Sequence, residues 1–437
     1  MSTEAFIVGV AMTPFGVHPA ETVPSLTTRA VRAALADADL DAATVDSVYF
    51  GNTTQGPLQG QSMIAGEIAL HGLGLGAVPV FNVENACASG SSALSLAITS
   101  VRAGESAVAL AVGAEKMNIG DRARTMRVFD GAYDVSDPAA LQRTLDELGG
   151  AVDTSDVGRR SVFMDIYAAM ARAHMATFGT TQRALAAVAA KNHRHSVDNP
   201  LSHFRKDMSV DDVLAARPLS HPLTVPMCSP LTDGAAAAVV CNAEVAARTA
   251  QARRQVRVLA SVVGTSVERE MTDYAKHVTK LAGDRAYERA GIAPSDVAVA
   301  EVHDATAFGE LLITELLGFV EMGGGGAAAE SGRTSLAGAI PVNTSGGLES
   351  KGHPLAATGL GQIYELVTQL RGEAGPRQVE NAHIALAENG GGFSPFSTGE
   401  EAVAVVTILE SVRWRSSTSS IAAGRAVSGP AGTPAGL

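Results

Sequence analysis

Apolar residues in this chain fall into short runs, and stretches of helical periodicity separate them. Ala5–Val10 is an apolar run of strand length, Thr22–Ala38 carries its apolar residues at helical spacing, and Val45–Phe50 is a second apolar run. The pattern continues through Pro79–Val83, a helix from about Ser89 to Arg102 and a strand over Ala107–Val112. Such alternation predicts a mainly parallel sheet with helices covering both faces.

The second half of the chain repeats the first. The segment from Val31 to Gly51 aligns without a gap on the segment from Gly283 to His303, a shift of 252 that brings Leu40 onto Ile292, Val45 onto Val297 and Phe50 onto Val302. Each copy reads as a helix, a short polar turn and an apolar strand. Further on, Asn85-Ala-Cys-Ala-Ser-Gly has a counterpart in Asn343-Thr-Ser-Gly-Gly. Similarity in the same order over so long a span predicts a duplicated α/β unit. The expected halves are residues 1–250 and 255–411. A segment of about 118–230 fits neither copy and is expected to be an insertion that carries substrate contacts. Helical stretches are predicted within it at Arg160–Phe178 and Gln182–His195. From residue 412 onward the chain turns to Ser, Thr, Gly, Pro and Ala and is expected to form a flexible tail.

Composition narrows the function classes. The chain has 437 residues and a net charge of −12, which argues against a nucleic-acid binder that would need a cationic surface. No apolar stretch has the length of a membrane span, and the N-terminus lacks a basic leader. The three cysteines, Cys87, Cys228 and Cys241, suit neither a disulfide framework nor a zinc site. A reducing, cytoplasmic setting is expected, where a free thiol survives.

Four segments could carry chemistry. Cys87 lies between a strand and a helix, where the positive end of the helix dipole favours thiolate; a small buried packing residue is the plainer alternative. His353 stands in a Gly-rich loop, with Pro354 and a helix start immediately after it. His303 is expected at the C-terminal end of a strand, the end at which α/β sheets bind ligands, and Asp304 beside it could simply satisfy backbone donors. Glu388-Asn-Gly-Gly-Gly392 closes another strand, and consecutive glycines leave N–H groups free to face an oxyanion or merely make a hairpin.

Taken together the segments resemble the thiolase superfamily, specifically its sterol-carrier-protein branch. The resemblance runs from about Ala5 to Leu409 through Asn85-Ala-Cys-Ala-Ser-Gly, Gly113-Ala-Glu-Lys-Met, Lys191-Asn-His-Arg, Asn199-Pro, Pro222–Ala237 and Asn343–Gly359. It implies two βαβαβαββ halves in a five-layer α/β sandwich with an inserted loop domain. It also implies a coenzyme A thioester as substrate, no bound cofactor or metal, a homodimer, and in some members a small partner protein. Cys87 matches the acylated cysteine, His353 the histidine of the Gly-His-Pro motif, and His303 that of the His-Asp-Cys-Phe motif. Cys87, Gly390 and Gly391 match the oxyanion hole.

One departure stands out. The His-Asp-Cys-Phe motif reads His303-Asp-Ala-Thr306 here, and the other place where the family keeps a second cysteine reads Glu388-Asn389. The second acid/base is therefore expected to be His303, Glu388, His353 acting twice, or nothing. Three readings follow: a thiolase cleaving or forming 3-ketoacyl-CoA, a decarboxylating condensing enzyme using Cys87 with His303 and His353, or a non-catalytic acyl-CoA-binding protein. Retention of the nucleophile segment counts against the last.

Overall fold

The computed structural model describes residues 4–137, 139–147, 161–249, 254–394 and 399–412. In the first half, β1 (Ala5–Met12) leads to α1 (Val23–Ala38), β2 (Ser47–Gly51), β3 (Val80–Val83), α2 (Ser89–Ala103) and β4 (Val108–Glu115). The inserted segment contributes α3 (Val162–Phe178) and α4 (Gln182–Ser196), and β5 (Gly234–Asn242) completes the unit. In the second half, β6 (Val256–Thr265), α5 (Val278–Ala290), β7 (Val299–Glu301), α6 (Ala307–Leu316), α7 (Gly347–Lys351), α8 (Thr358–Arg371), β8 (Ile384–Gly391) and β9 (Val403–Ser411) follow.

The strands form one sheet in the order β3-β2-β4-β5-β1-β6-β9-β8-β7. That order is a palindrome about the antiparallel contact of Phe6 with Arg257 and Ile7 with Val256. The predicted shift of 252 carries the short turn Ala42–Thr44 onto the turn Pro294–Asp296, and α1 from Leu26 onward onto α5. The one lapse is at the outer edge. Where the first half has β3, the second has only a single bridge between Val342 and Ala300.

Three apolar clusters sort these elements into five layers. One lies between α1 and the first half of the sheet, with Leu26, Val31, Phe50 and Val239. A second lies between α5, α6 and the second half of the sheet, with Ala282, Ile313, Leu386 and Val406. The third fills the middle, where Leu94 and Ile98 of α2 meet Leu360, Ile363 and Leu366 of α8 and the inner faces of both halves. Local sequence explains the outer helix: Thr22 caps α1 reciprocally with Ser25, and buried residues then recur at Val23, Leu26, Ala30, Ala34 and Ala38.

The central pair of helices is built from small residues for a reason. A Cβ at Gly90 of α2 would lie 2.2 Å from the Ala356 carbonyl oxygen, and one at Gly113 of β4 would lie 2.1 Å from the same atom. Glycine at both places lets the turn before α8 seat directly on the start of α2. That contact brings the two Gly-rich segments of the two halves face to face.

The insertion packs as its own apolar layer, joining α3 and α4 to Phe308 and Leu311 of α6. Val412 ends the described chain, so the tail expected beyond it lies outside the described residues.

Candidate active site

Cys87 sits in a short turn, Ala86–Ala88, between β3 and α2. Ala86 has a φ of 49°, a left-handed conformation that a side-chain-bearing residue takes only when its surroundings hold it. They do. Its carbonyl accepts from the hydroxyls of Thr53 and Ser89 at 2.9 and 2.7 Å, and its N–H donates to Glu84 at 2.7 Å. From the other side Gly391 presses on the same turn, since a Cβ there would stand 2.3 Å from the Asn85 carbonyl oxygen.

Around this thiol the structure brings together the two histidines that sequence singled out. The Cys87 sulfur and one ring nitrogen each of His303 and His353 lie within 4.8 Å of one another. The imidazoles meet edge to face with centroids 5.1 Å apart. All three residues line a cavity of about 690 Å³. Among the described residues they are also the one group of His, Cys, Asp or Glu close enough to gather round a metal ion.

Hydrogen bonds give the two rings opposite roles. The Ser91 hydroxyl donates to Asn389 Oδ1 at 2.9 Å, which leaves the Asn389 amide N–H to donate to His303 Nδ1 at 2.8 Å. His303 then carries its proton on Nε2 and is a donor toward the cavity. His353 Nδ1 lies 2.7 Å from the Thr358 hydroxyl, which itself donates to the Pro354 carbonyl. His353 Nδ1 is therefore the donor there, and its Nε2 offers a lone pair. One ring is poised to give a hydrogen bond and the other to take a proton.

Burial keeps every member of the group neutral. It pushes the Cys87 thiol up to about 12, with the carboxylates of Glu115, Glu401 and Glu84 adding to the effect. It pulls His303 down to about 3, and holds His353 well below its ordinary value with His303 reinforcing it. The helix start expected beside Cys87 is there, but desolvation outweighs its dipole, so the resting pair is thiol and imidazole rather than thiolate and imidazolium.

Two expectations need correction. Glu388 does not face the cavity: its carboxylate accepts from the His303 backbone N–H at 3.1 Å and from the Thr279 hydroxyl at 3.3 Å, and it lies beneath the histidine. Burial, helped by Glu401, pushes that carboxyl up to about 8. Gly390 is on the same side of the strand as Glu388, where a Cβ on it would meet Glu401 at 2.7 Å. Successive residues of a strand face opposite sides, so Asn389 turns toward His303 and Ser91, and Gly391 toward the nucleophile turn. Gly391 and Gly392, not Gly390, line the cavity beside Cys87.

Asp304 takes its backbone role. It accepts from the N–H groups of Leu348 and Glu349 at 2.7 and 3.3 Å, tying the His303 loop to α7 ahead of His353. The insertion supplies much of the cavity wall, including Phe129, Phe163, Met164 and Tyr167, with exposed Arg122, Lys206 and Arg217 among the lining residues. Sequence reasoning missed Asn389, Thr358, Tyr167 and Glu401. Asn389 could have been found from its place in the Gly-rich strand; Glu401 carries no local signal.

Known families match this arrangement over nearly all of the chain. A model of the thiolase N-terminal domain matches residues 5–244, and one of the thiolase C-terminal domain matches residues 260–407. The chain belongs to the thiolase family. This thiolase is 38% identical over 388 residues to an acetyl-CoA acetyltransferase of Methanothermobacter thermautotrophicus, covering 88% of this chain and 96% of that one. It is 36% identical over 395 residues to sterol carrier protein 2 of Oryctolagus cuniculus, covering 88% of this chain and 69% of that one. It is 32% identical over 397 residues to the benzoylsuccinyl-CoA thiolase subunit BbsB of Thauera aromatica, covering 90% and 96%. Its fold superposes on the Ltp2-ChsH2(DUF35) aldolase with a TM-score of 0.75 at 22% identity, covering 94% of this chain and 98% of that one. Among the described residues no helix is long and apolar enough to cross a membrane. The thiolase is an acyltransferase of its family's type.

Proposed function

We propose that the thiolase is acylated on Cys87 by an acyl-CoA and makes or cleaves the carbon–carbon bond of a 3-ketoacyl-CoA by Claisen chemistry. The observation that carries this reading is the cluster of Cys87, His303 and His353 within 4.8 Å in one cavity.

His353 Nε2 removes the thiol proton as the sulfur attacks the thioester carbonyl, then hands it to the departing coenzyme A sulfur. A neutral thiol beside a neutral imidazole suits that coupled transfer, because neither ion has to exist in the buried resting site. The developing oxyanion is met by the His303 Nε2–H and by backbone N–H groups of Cys87 and the Gly391–Gly392 stretch. Arg122, Lys206 and Arg217 are suited to the coenzyme A phosphates, and the Phe129–Phe163 wall to an apolar acyl chain.

A decarboxylating condensation would use the same three side chains. The carboxyl of Glu401 on the cavity wall disfavours it, since such a donor brings a carboxylate of its own. No cofactor is assigned; coenzyme A enters as part of the substrate.

A homodimer through β3 accords with that edge strand, which exposes Phe81 at 48%. A small partner protein accords with BbsB being named as a subunit. The direct test is release of an acetyl-CoA from a 3-ketoacyl-CoA and free coenzyme A, compared with Cys87→Ala. Turnover that survives Cys87→Ala would overturn the proposal.

A further inference from the structure

Both places where a second thiol was expected hold other residues, Ala305 and Glu388, and Glu388 is turned beneath His303. The cavity nonetheless contains a carboxyl. Glu401 lines it, 7% exposed, with Cys87, Tyr167, His303 and Gly391 as fellow lining residues. It reaches the cavity from the segment just before β9, folding over Gly390 so closely that a Cβ on that glycine would meet its Cγ at 2.7 Å. Gly390 thus makes room for it beside the Gly-rich strand. The Tyr167 hydroxyl of α3 donates to Glu401 Oε1 at 3.1 Å, fixing the carboxylate from the insertion side. Its charge is near enough to bear on the Cys87 thiol.

From this placement we propose that Glu401 is the second acid/base of the thiolase, the group that takes and returns the α-proton of the acetyl-CoA nucleophile. The proposal rests on the Cys87 acyl-enzyme above. Once Cys87 carries the acyl group, the Glu401 carboxylate removes a proton from the acetyl methyl, and the C–H electron pair passes into the enolate. The enolate carbon attacks the acyl carbonyl, the new C–C bond forms, and the bond from that carbon to the Cys87 sulfur breaks. The proton held by Glu401 returns through the site to that sulfur, so acyl-S-Cys87 and acetyl-CoA become 3-ketoacyl-CoA and Cys87 thiol.

The surroundings suit a base rather than a spectator carboxylate. Glu401 faces Tyr167 from α3, His277 from the start of α5 at 4.0 Å, Glu388 from β8 and Cys87 from the nucleophile turn, with Glu400 and Arg269 behind it. Burial, with Glu400 adding to it, holds the carboxyl above the usual carboxylate range, which strengthens it as a proton acceptor. His277 Nε2 is buried without a hydrogen-bond partner, so no firm bond on that side ties the carboxylate down.

The experiment is deuterium uptake into the methyl of acetyl-CoA in heavy water, read by mass spectrometry, beside adduct formation on Cys87 in the same preparations. Glu401→Gln should lower exchange by about 100-fold or more while the Cys87 adduct still forms. Glu401→Asp should recover part of that loss. Tyr167→Phe, which removes a donor to the carboxylate, should move the exchange-versus-pH curve to higher pH and so tests the idea even if Glu401→Gln folds poorly. Adduct with no exchange in the wild type, or full exchange in Glu401→Gln, would overturn the proposal. So would a loss found in Glu388→Gln or Cys228→Ala in place of Glu401→Gln. Absence of the adduct would instead sink the acyl-enzyme reading beneath it.

Discussion

Asn389 donates its amide N–H to Nδ1 of His303 at 2.8 Å, and this contact fixes which ring nitrogen carries the proton. The Ser91 hydroxyl holds the amide in that orientation from its other end. Asn389→Asp replaces the donor by an acceptor, pulls the proton to Nδ1 and leaves Nε2 unable to donate to an oxyanion. Losing one oxyanion donor typically costs about 100- to 1,000-fold in turnover. The expected outcome is a fall of that order in kcat with Tm little changed; an unaltered kcat would show that His303 Nε2–H has no such part.

The thiol of Cys87 should behave as a buried thiol and not as a thiolate. Its value near 12 places its ionisation far above neutrality. The alkylation rate by iodoacetamide should therefore keep climbing from pH 7 to pH 10, in the wild type and in His353→Ala alike. A plateau near pH 7 that disappears in His353→Ala would instead reveal a preformed thiolate–imidazolium pair.

Stability should fall as the medium becomes alkaline, and the window follows from Glu388. Its folded value near 8 is raised above the ordinary 4.5, so its contribution is complete below pH 4.5 and is lost as pH rises through 8. His303 runs the other way: its folded value near 3 lies below 6.5, so its contribution is complete above pH 6.5 and is lost as pH falls toward 3. The two trends oppose each other between pH 4.5 and 6.5, which leaves the interval from pH 6.5 to 8 to buried carboxyls: Glu388, Glu115 near 7 in its lower part, and Asp304 and Glu349, which burial also holds well above their ordinary values. Each such group contributes a slope of about 1.4 kcal/mol per pH unit. Denaturant midpoints should drop between pH 6.5 and 8, and Glu388→Gln should flatten the drop. An equal drop in the variant would contradict the assignment.

Gly391 is a position at which one methyl group should be felt. A Cβ there would meet the Asn85 carbonyl oxygen at 2.3 Å and the Ala88 nitrogen at 2.8 Å, both main-chain atoms of the nucleophile turn. Gly391→Ala should cost about 1–3 kcal/mol of stability and sharply reduce acylation, measured by denaturation and by adduct formation. A variant as stable and active as the wild type would show that the turn can yield.

What the sequence made legible depended on how locally each feature is encoded. The palindromic sheet could be foreseen because a helix, a turn and a strand recur at a constant shift, and Leu40, Val45 and Phe50 keep apolar partners across it. Cys87, His303 and His353 stood out because glycines and strand ends mark them. The facing of Glu388 was not legible, since the same alternation fits either side of β8 until Asn389 is seen to meet His303. Glu401 was invisible for a different reason: it enters the cavity through a fold of the chain over Gly390, and no pattern around residue 401 records that contact. The loss of a full strand at Val342 was likewise hidden, because one bridge and a strand share the same apolar residues.

Intact-protein mass spectrometry after brief incubation with acetyl-CoA tests the central claim most directly. The wild type should gain the mass of one acetyl group, peptide mapping should locate it on Cys87, and Cys87→Ala should gain none. An acetyl group that persists in Cys87→Ala, or that maps to Cys228, would contradict the account.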